Sequence, residues 1–356
     1  MFFFKKLSFL ILLTLVAVKQ TSSVTNGQYS ILFVPDTQHD ISGNFGEDTY
    51  NAFQWIKACR EYCNISAVVG LGDITDFSSL REWRRMGNTL LPLRESGIPH
   101  AFAKGNHDSN SIINGIHLYK SFVWHPSQNW DVEETPWLDI YDSPIGFYST
   151  GRIGFLLLDS FFISIETNTP QRSYMIDKFK WMLNSSLFDI IFLVNHYAYA
   201  IDTEIILNSV VEIPLDVFVV VIGGHTITQR ISLSHNNRVI VVTSNYQMSD
   251  TNSWMQGQSM GGALAWFRID PFQHVLEMST YSPLLGIFLK TAESGFGFYN
   301  QSHLSRGIGV FTKCPYFLYI PNGTFIFIII AFCIILVSVF LFLLIFIVAV
   351  RKIKIN

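Results

Sequence analysis

Between residues 29 and 280, short apolar runs alternate with longer stretches in which apolar side chains recur every three or four positions. The short runs, rich in Val, Ile and Phe, fall at 29–34, 67–71, 100–103, 153–158, 189–194, 217–222, 238–243, 263–269 and 274–280. Their length and β-branched content predict strands. Phe53, Ile56 and Cys63, with Ala52 and Cys59, predict a helix over 48–62. Leu80, Trp83, Leu90, Leu91 and Leu93 predict a second over 78–94; Tyr174, Phe179, Trp181 and Met182 predict a third over about 171–184. Strands alternating with amphipathic helices imply an α/β or layered αβ domain. No repeat, low-complexity run or flexible linker interrupts the pattern before about residue 286. From 286 to 323 the chain is Gly-rich and aromatic without a clear period, which we read as a packed-down stalk.

The two ends follow other patterns. Residues 1–23 carry Lys5 and Lys6 near their start, run largely apolar from Leu7 to Val18 with Ser8 and Thr14 inside the run, and finish in small polar residues. A short apolar core behind basic residues predicts a secretory signal peptide. Phe325–Val350 holds one hydroxyl, Ser338, and no charge, and about 20 apolar residues suffice to cross a bilayer. We therefore expect a transmembrane helix over 324–350 and a basic cytoplasmic tail over 351–356. The globular part, 27–285, is then lumenal or extracellular, in a single-pass type I membrane protein. Sequons at Asn64, Asn184, Asn300 and Asn322 fit a glycoprotein on that route.

Composition changes this picture little. The net charge of −3 leaves no electrostatic footprint for nucleic acid. Cys333 falls inside the expected span; of the remaining cysteines, Cys59 and Cys63 stand one helical turn apart, and whether they bridge stays open.

The ends of the strands carry the chemistry. The run 29–34 leads to Asp36; 67–71 leads to Asp73 and Asp76; 100–103 leads to Asn106, His107 and Asp108. The run 189–194 leads to His196 and 217–222 to His225. Open α/β sheets place their sites just past the carboxyl ends of strands. One Asp or His there is commonly a turn residue or cap, but five of the predicted strands each deliver an oxygen or imidazole. Carboxylates, an amide and imidazoles without cysteine suit divalent Mn, Fe or Zn.

In order, these residues form D-x-Q (Asp36, Gln38), G-D-x-x-D (Gly72, Asp73, Asp76), G-N-H-D (Gly105 to Asp108), N-H (His196) and G-H-T (Gly224, His225). The series resembles the calcineurin-like metallophosphoesterases over about residues 29–285, including "TYSP" at 280–283, which is similar to the closing strand of some of them. The resemblance implies a four-layer αββα sandwich holding two divalent ions that share one aspartate. It implies that Asp73 is the bridge, that Asn106, His196 and His225 complete one metal site, and that Asp36 and Gln38 belong to the other. It implies hydrolysis of a phosphate ester by a metal-activated hydroxide, with His107 stabilising charge or protonating the leaving oxygen and Asp76 holding its tautomer.

Two positions depart from the pattern. The usual histidine of the first motif is Gln38, and the second histidine of G-H-x-H is Ile227, which cannot ligate. One metal site is thus depleted unless His39 or Asp40 stands in. This gap motivates a second reading: a weak or inactive pseudo-phosphoesterase that binds phosphorylated ligands. The purple acid phosphatases are set aside because their iron-binding tyrosine would fall at Asp76. Gly257–Gly261 matches the G-x-S-x-G nucleophile elbow, with Asp270 and His274 downstream, yet a polar loop precedes it and a strand-like run follows, the reverse of what the elbow needs. Substrate choice is expected in 109–150, whose Trp124, Trp130 and Trp137 we expect to wall the cleft.

Overall fold

The computed structural model describes residues 29–43, 45–124, 131–132, 136–159, 170–226, 229–245, 263–270, 275–283, 287–289, 297–300 and 303–308. The expected signal peptide, membrane span and tail lie outside these residues, as do Ile227, the Gly257–Gly261 motif and His274. Among the described residues no helix is long and apolar enough to cross a membrane. The chain divides into two compact units, Met1–Tyr316 and Phe317–Asn356, and every described residue belongs to the first.

In chain order the strands are β1 Tyr29–Val34, β2 Ile65–Gly70, β3 His100–Phe102, β4 Ile112–Ile113, β5 Ile116–His117 and β6 Asp131–Val132. Next come β7 Gly146–Thr150, β8 Ile153–Leu157, β9 Ile190–Val194, β10 Phe218–Gly223, β11 Gln229–Ser234 and β12 Val239–Ser244. The last are β13 Leu264–Asp270, β14 Val275–Ser282, β15 Ile287–Leu289, β16 Gly297–Asn300 and β17 His303–Ile308. One sheet runs β17-β16-β14-β13-β1-β2-β3, with β15 also on β14; the other runs β11-β12-β10-β9-β8-β7-β6; β4 and β5 form a small hairpin. The parallel parts are β1-β2-β3, at one end of the first sheet, and β12-β10-β9-β8, in the middle of the second.

Why these runs form central strands follows from their two-sided burial. Parallel strands covered on both faces need continuous apolar sequence rather than alternation. In β1, Ile31 and Phe33 join the core shared by both sheets, while Leu32, on the opposite face, is also fully buried. Across that shared core the Phe192 ring lies 5.0 Å from Phe33, 5.3 Å from Phe155 and 5.5 Å from Phe267. On the outer side of the first sheet, helix Glu47–Cys59 sets Trp55 against Trp266 and Phe53 against Phe102. On the outer side of the second, helices Pro170–Asn184 and Ile201–Asn208 cover Leu156, Ile191 and Val219 through Met175, Phe179 and Ile206. The order is helix, sheet, sheet, helix.

Several expectations change. The stretch 78–94 is two helices, Leu80–Thr89 and Leu91–Ser96, because Pro92 has no N–H to continue the first and sits in the opening turn of the second. Residues 287–308, expected as stalk, carry β15, β16 and β17, which extend the first sheet. Cys59 and Cys63 are both buried, and no disulfide joins them to each other. Trp124 packs against the shared core, with its ring 5.9 Å from Tyr148, and Trp137 packs against the outer core of the second sheet. Neither tryptophan is a bare cleft wall, and Trp130 lies outside the described residues.

Candidate metal centre

The parallel strands of both sheets end along one margin of the sandwich, and the segments past them bond across the gap. After β1, Pro35 ends the ladder and Asp36 is buried; the N–H groups of Thr37 and Gln38 donate to the Asp73 carbonyl at 3.0 and 2.9 Å. After β2, Asp73 takes a left-handed backbone, φ 45°, a conformation Asp tolerates better than bulkier residues. Asp108 is fully buried and ties this loop to the one after β3. Its carboxylate accepts from the N–H of Ile74 and Thr75 at 2.9 Å and of Gly105 at 3.0 Å. Two glycines permit this approach. A Cβ on Gly105 would sit 2.1 Å from Asp73 Oδ1, and one on Gly224 would sit 2.0 Å from Asp36 Oδ1.

His196 is at the middle. Its Nε2 lies 3.1 Å from Asp73 Oδ2, 3.1 Å from Asn106 Oδ1 and 3.2 Å from His225 Nδ1. Atoms that share a cation at about 2.0–2.2 Å stand roughly 3.0–3.5 Å apart for ordinary bond angles. The spacing here is of that kind, and ligand atoms of Asp73, His196 and His225 all fall within 4.8 Å of one another. The other ring nitrogen of His196, Nδ1, lies 3.0 Å from the Leu71 carbonyl, the outer contact that orients a ligating imidazole.

The electrostatics point the same way. Burial opposes charging His196, yet the neighbouring Asp73 and Asp36 carboxylates outweigh it and push the imidazole up to about 9. For Asp73 burial raises the carboxyl, but the hydrogen bond and charge of His196 bring it below its ordinary value. Burial pushes Asp36 up to about 7. Burial and the charge of His196 push His225 down. The carboxylates hold a proton on a buried imidazole, so the pocket attracts positive charge that a divalent cation would supply in its place.

The other expected residues occupy distinct positions. Asp36 accepts from Asn245 Nδ2 at 2.6 Å and from the His225 N–H at 3.2 Å, and its Oδ1 is 3.7 Å from His196 Nδ1. Gln38 is buried, and its Oε1 has no hydrogen-bond partner among the described residues, which suits a ligand oxygen. Asp40 does not stand in as a ligand: its carboxylate accepts from the N–H and hydroxyl of Thr49 at 2.9 and 2.6 Å, at the start of helix Glu47–Cys59. His39 is exposed. His107 donates its N–H to Asp73 Oδ1 at 3.0 Å. Its Nδ1 lies 2.8 Å from the Asp76 carbonyl and 3.4 Å from the Asp76 carboxylate, so the backbone of Asp76 holds the ring more closely than its side chain does.

Two residues went unnoticed in the sequence. Asn245, just past β12, anchors Asp36 and also donates to the His225 carbonyl at 3.2 Å. It follows an apolar run as the residues past the five strands of the sequence pattern do, so the same rule finds it. Tyr197 donates its hydroxyl to Asn106 Oδ1 at 3.0 Å; nothing but its place beside His196 marks it.

No family model matches the chain. Over 98 residues it is 31% identical to the uncharacterized protein YvnB of Bacillus subtilis (strain 168), a match spanning 26% of this chain and 7% of that protein. Among solved structures it is similar to GAP50, the anchor in the inner membrane complex of Plasmodium, at 12% identity and a TM-score of 0.46, over 75% of this chain and 89% of that one. It is also similar to the purple acid phosphatase PPD1 of yellow lupin seeds, at 13% identity and a TM-score of 0.43, over 81% and 53% of the two chains. The NAD nucleotidase NadN of Haemophilus influenzae aligns at 13% identity and a TM-score of 0.38, over 72% and 48%. None of these three structures reaches a TM-score of 0.5.

Proposed function

We propose that the protein is a metal-dependent phosphoesterase built as a calcineurin-like αββα sandwich with the D-x-Q form of the first motif. The observation that carries this is the convergence of Asp73 Oδ2, Asn106 Oδ1 and His225 Nδ1 on His196 Nε2 at 3.1–3.2 Å, from the ends of four strands of two sheets. Asp73, Asn106, His196 and His225 would hold one cation. Asp36, Asp73 and Gln38 would hold a second more weakly, since Ile227 offers no donor. When bound, such cations polarise a phosphoryl oxygen and bring a water's pKa towards neutrality. The protein's own residues orient and protonate. The His107 backbone N–H donates to Asp73 Oδ1, and the Asp76 carbonyl accepts a hydrogen bond from His107 Nδ1–H, leaving Nε2 to meet the leaving oxygen. A phosphate ester is the substrate class this arrangement fits.

The missing donor at Ile227 favours one other reading, a pseudo-phosphoesterase that binds phosphorylated ligands without turnover. A single experiment separates the two. Purified full-length chain is stripped with chelator, reloaded with Mn, Zn or Fe, analysed for bound metal and assayed on aryl phosphate mono- and diesters. We expect one tightly held ion per chain, a second at higher metal concentration, and turnover that falls at least about 100-fold in His107→Ala. Metal binding without turnover supports the second reading; no bound metal overturns both.

We further propose, on the apolar runs Leu7–Val18 and Phe325–Val350, that the domain is lumenal or extracellular and anchored as a type I membrane protein. Protease treatment of sealed microsomes should spare the domain and remove a tag placed after Asn356. The opposite pattern means the orientation is inverted.

A further inference from the structure

Three aromatic side chains meet at the metal centre, and only two of them are in the expected ligand set. The Tyr197 ring lies 4.1 Å from the His225 ring, centroid to centroid, and 5.1 Å from that of His196. Local structure puts it there. Tyr197 follows His196 directly, and in an extended chain consecutive side chains would point to opposite sides. Past β9 the chain bends instead: Asn195 Oδ1 accepts from the Tyr197 N–H at 3.4 Å, and the Asn195 amide is itself tied to Thr203 Oγ1 at 3.3 Å. His196 and Tyr197 thereby face the same centre.

The two contacts of Tyr197 differ in kind, and each falls on a residue that needs support. Asn106 is half-buried, and among the described residues its amide oxygen has two polar neighbours, His196 Nε2 and the Tyr197 hydroxyl. A carbonyl oxygen has two lone pairs. One can face the cation position beside His196 while the other accepts the phenol O–H, so the hydroxyl holds the amide in a ligating pose without competing for it. His225 is exposed and sits on a left-handed backbone, φ 57°. Its N–H and C=O are pinned by Asp36 and Asn245, and the Tyr197 ring packs against the imidazole itself.

We propose that Tyr197 is a positioning residue of the metal centre, fixing Asn106 through its hydroxyl and His225 through its ring. This rests on the metal-binding reading above. Residues that orient ligands from outside the coordination shell change metal affinity by roughly 10- to 100-fold when altered. Tyr197→Phe keeps the ring and removes the hydroxyl; Tyr197→Ala removes both.

The test uses the purified full-length chain with Zn(II), titrated in competition with a chromophoric chelator. The chelated protein is followed separately by thermal unfolding. We expect Tyr197→Phe to bind Zn(II) about 10-fold more weakly and Tyr197→Ala more weakly still, with the unfolding temperature of chelated Tyr197→Phe within about 2 °C of the parent. Two results overturn the proposal: parental affinity in Tyr197→Phe, or an affinity loss matched by an equal loss of stability in the metal-free chain, which would mark the hydroxyl as merely structural. If the unsubstituted chain binds neither Zn(II) nor, in the same competition, Mn(II) or Fe(II), the metal-binding reading fails and takes this inference with it. If it binds and Tyr197→Phe binds equally, only this inference fails.

Discussion

At the residue scale, the proposed ligands Asp36 and His196 would have to exchange protons for a cation. Asp36, at about 7, and His196, at about 9, both lie above their ordinary values. A group raised on folding stabilises the folded chain at low pH and loses that contribution as pH rises through its folded value. For Asp36 the loss runs from about pH 4 to 7, and for His196 from about 6.5 to 9, so both weaken the metal-free chain as pH climbs. Metal binding requires the same groups to give up their protons, and affinity therefore rises over the same range. The gap in unfolding temperature between Mn-loaded and chelated protein should widen steadily from pH 5.5 to 8. A gap that is flat or narrows removes Asp36 and His196 from the ligand set.

At the scale of elements, the margin of the sandwich depends on how each loop after a strand is closed. Helix Leu80–Thr89 begins with a capping box: Ser79 Oγ accepts from the Glu82 N–H, and the Glu82 carboxylate accepts from the Ser79 N–H at 3.0 Å. The same carboxylate accepts from the Phe77 N–H at 3.2 Å, so the cap also fastens the segment that follows Asp76. Ser79→Ala should cost about 1 kcal/mol in chemical unfolding while leaving metal affinity within a factor of two, because no ligand sits on that helix. A large drop in affinity would mean that the cap positions His107 through Asp76.

Elements also show where pattern reading stops. The central runs such as "SILFV" and "VVVIG" are apolar on every face because both faces are covered, and they are legible for that reason. β11, "QRISLS", stands at the edge of its sheet among the described residues, beside β12 and half-exposed, with Ile231 and Leu233 turned to the shared core. Its period-2 alternation is a weaker signal and was passed over, as was the antiparallel β7. Helix Ile201–Asn208 was missed because eight residues span too few turns for a periodicity to stand out.

At the scale of the whole molecule, the site exists only while the two sheets keep their register. Asp36, Asp73 and Asn106 follow strands of the first sheet, and His196 and His225 follow strands of the second. The aromatic cluster around Phe192 joins both. Phe192→Ala should destabilise the chain by about 3–5 kcal/mol in denaturant unfolding, since a fully buried ring leaves a cavity its neighbours cannot close. It should also weaken metal binding, although Phe192 is no part of the centre. A cost below about 1 kcal/mol would mean that the sheets are not joined through this cluster.

Sequence alone determined which strands end in carboxylate, amide or imidazole groups, because a strand buried on both faces must be apolar and whatever follows it is then conspicuous. It also determined that Ile227 can supply no donor, since that is a property of the side chain itself. Tertiary structure decided which of the strand-end groups meet. Asp40 turned to cap a helix and Trp124 to pack a core, while Asn245 and Tyr197 came in beside Asp36 and Asn106. The physical reason is range. Burial is written in each run's own composition, whereas a convergence of groups 90 or 209 positions apart, as in the His196–Asn106 and Asn245–Asp36 contacts, depends on how two sheets pack.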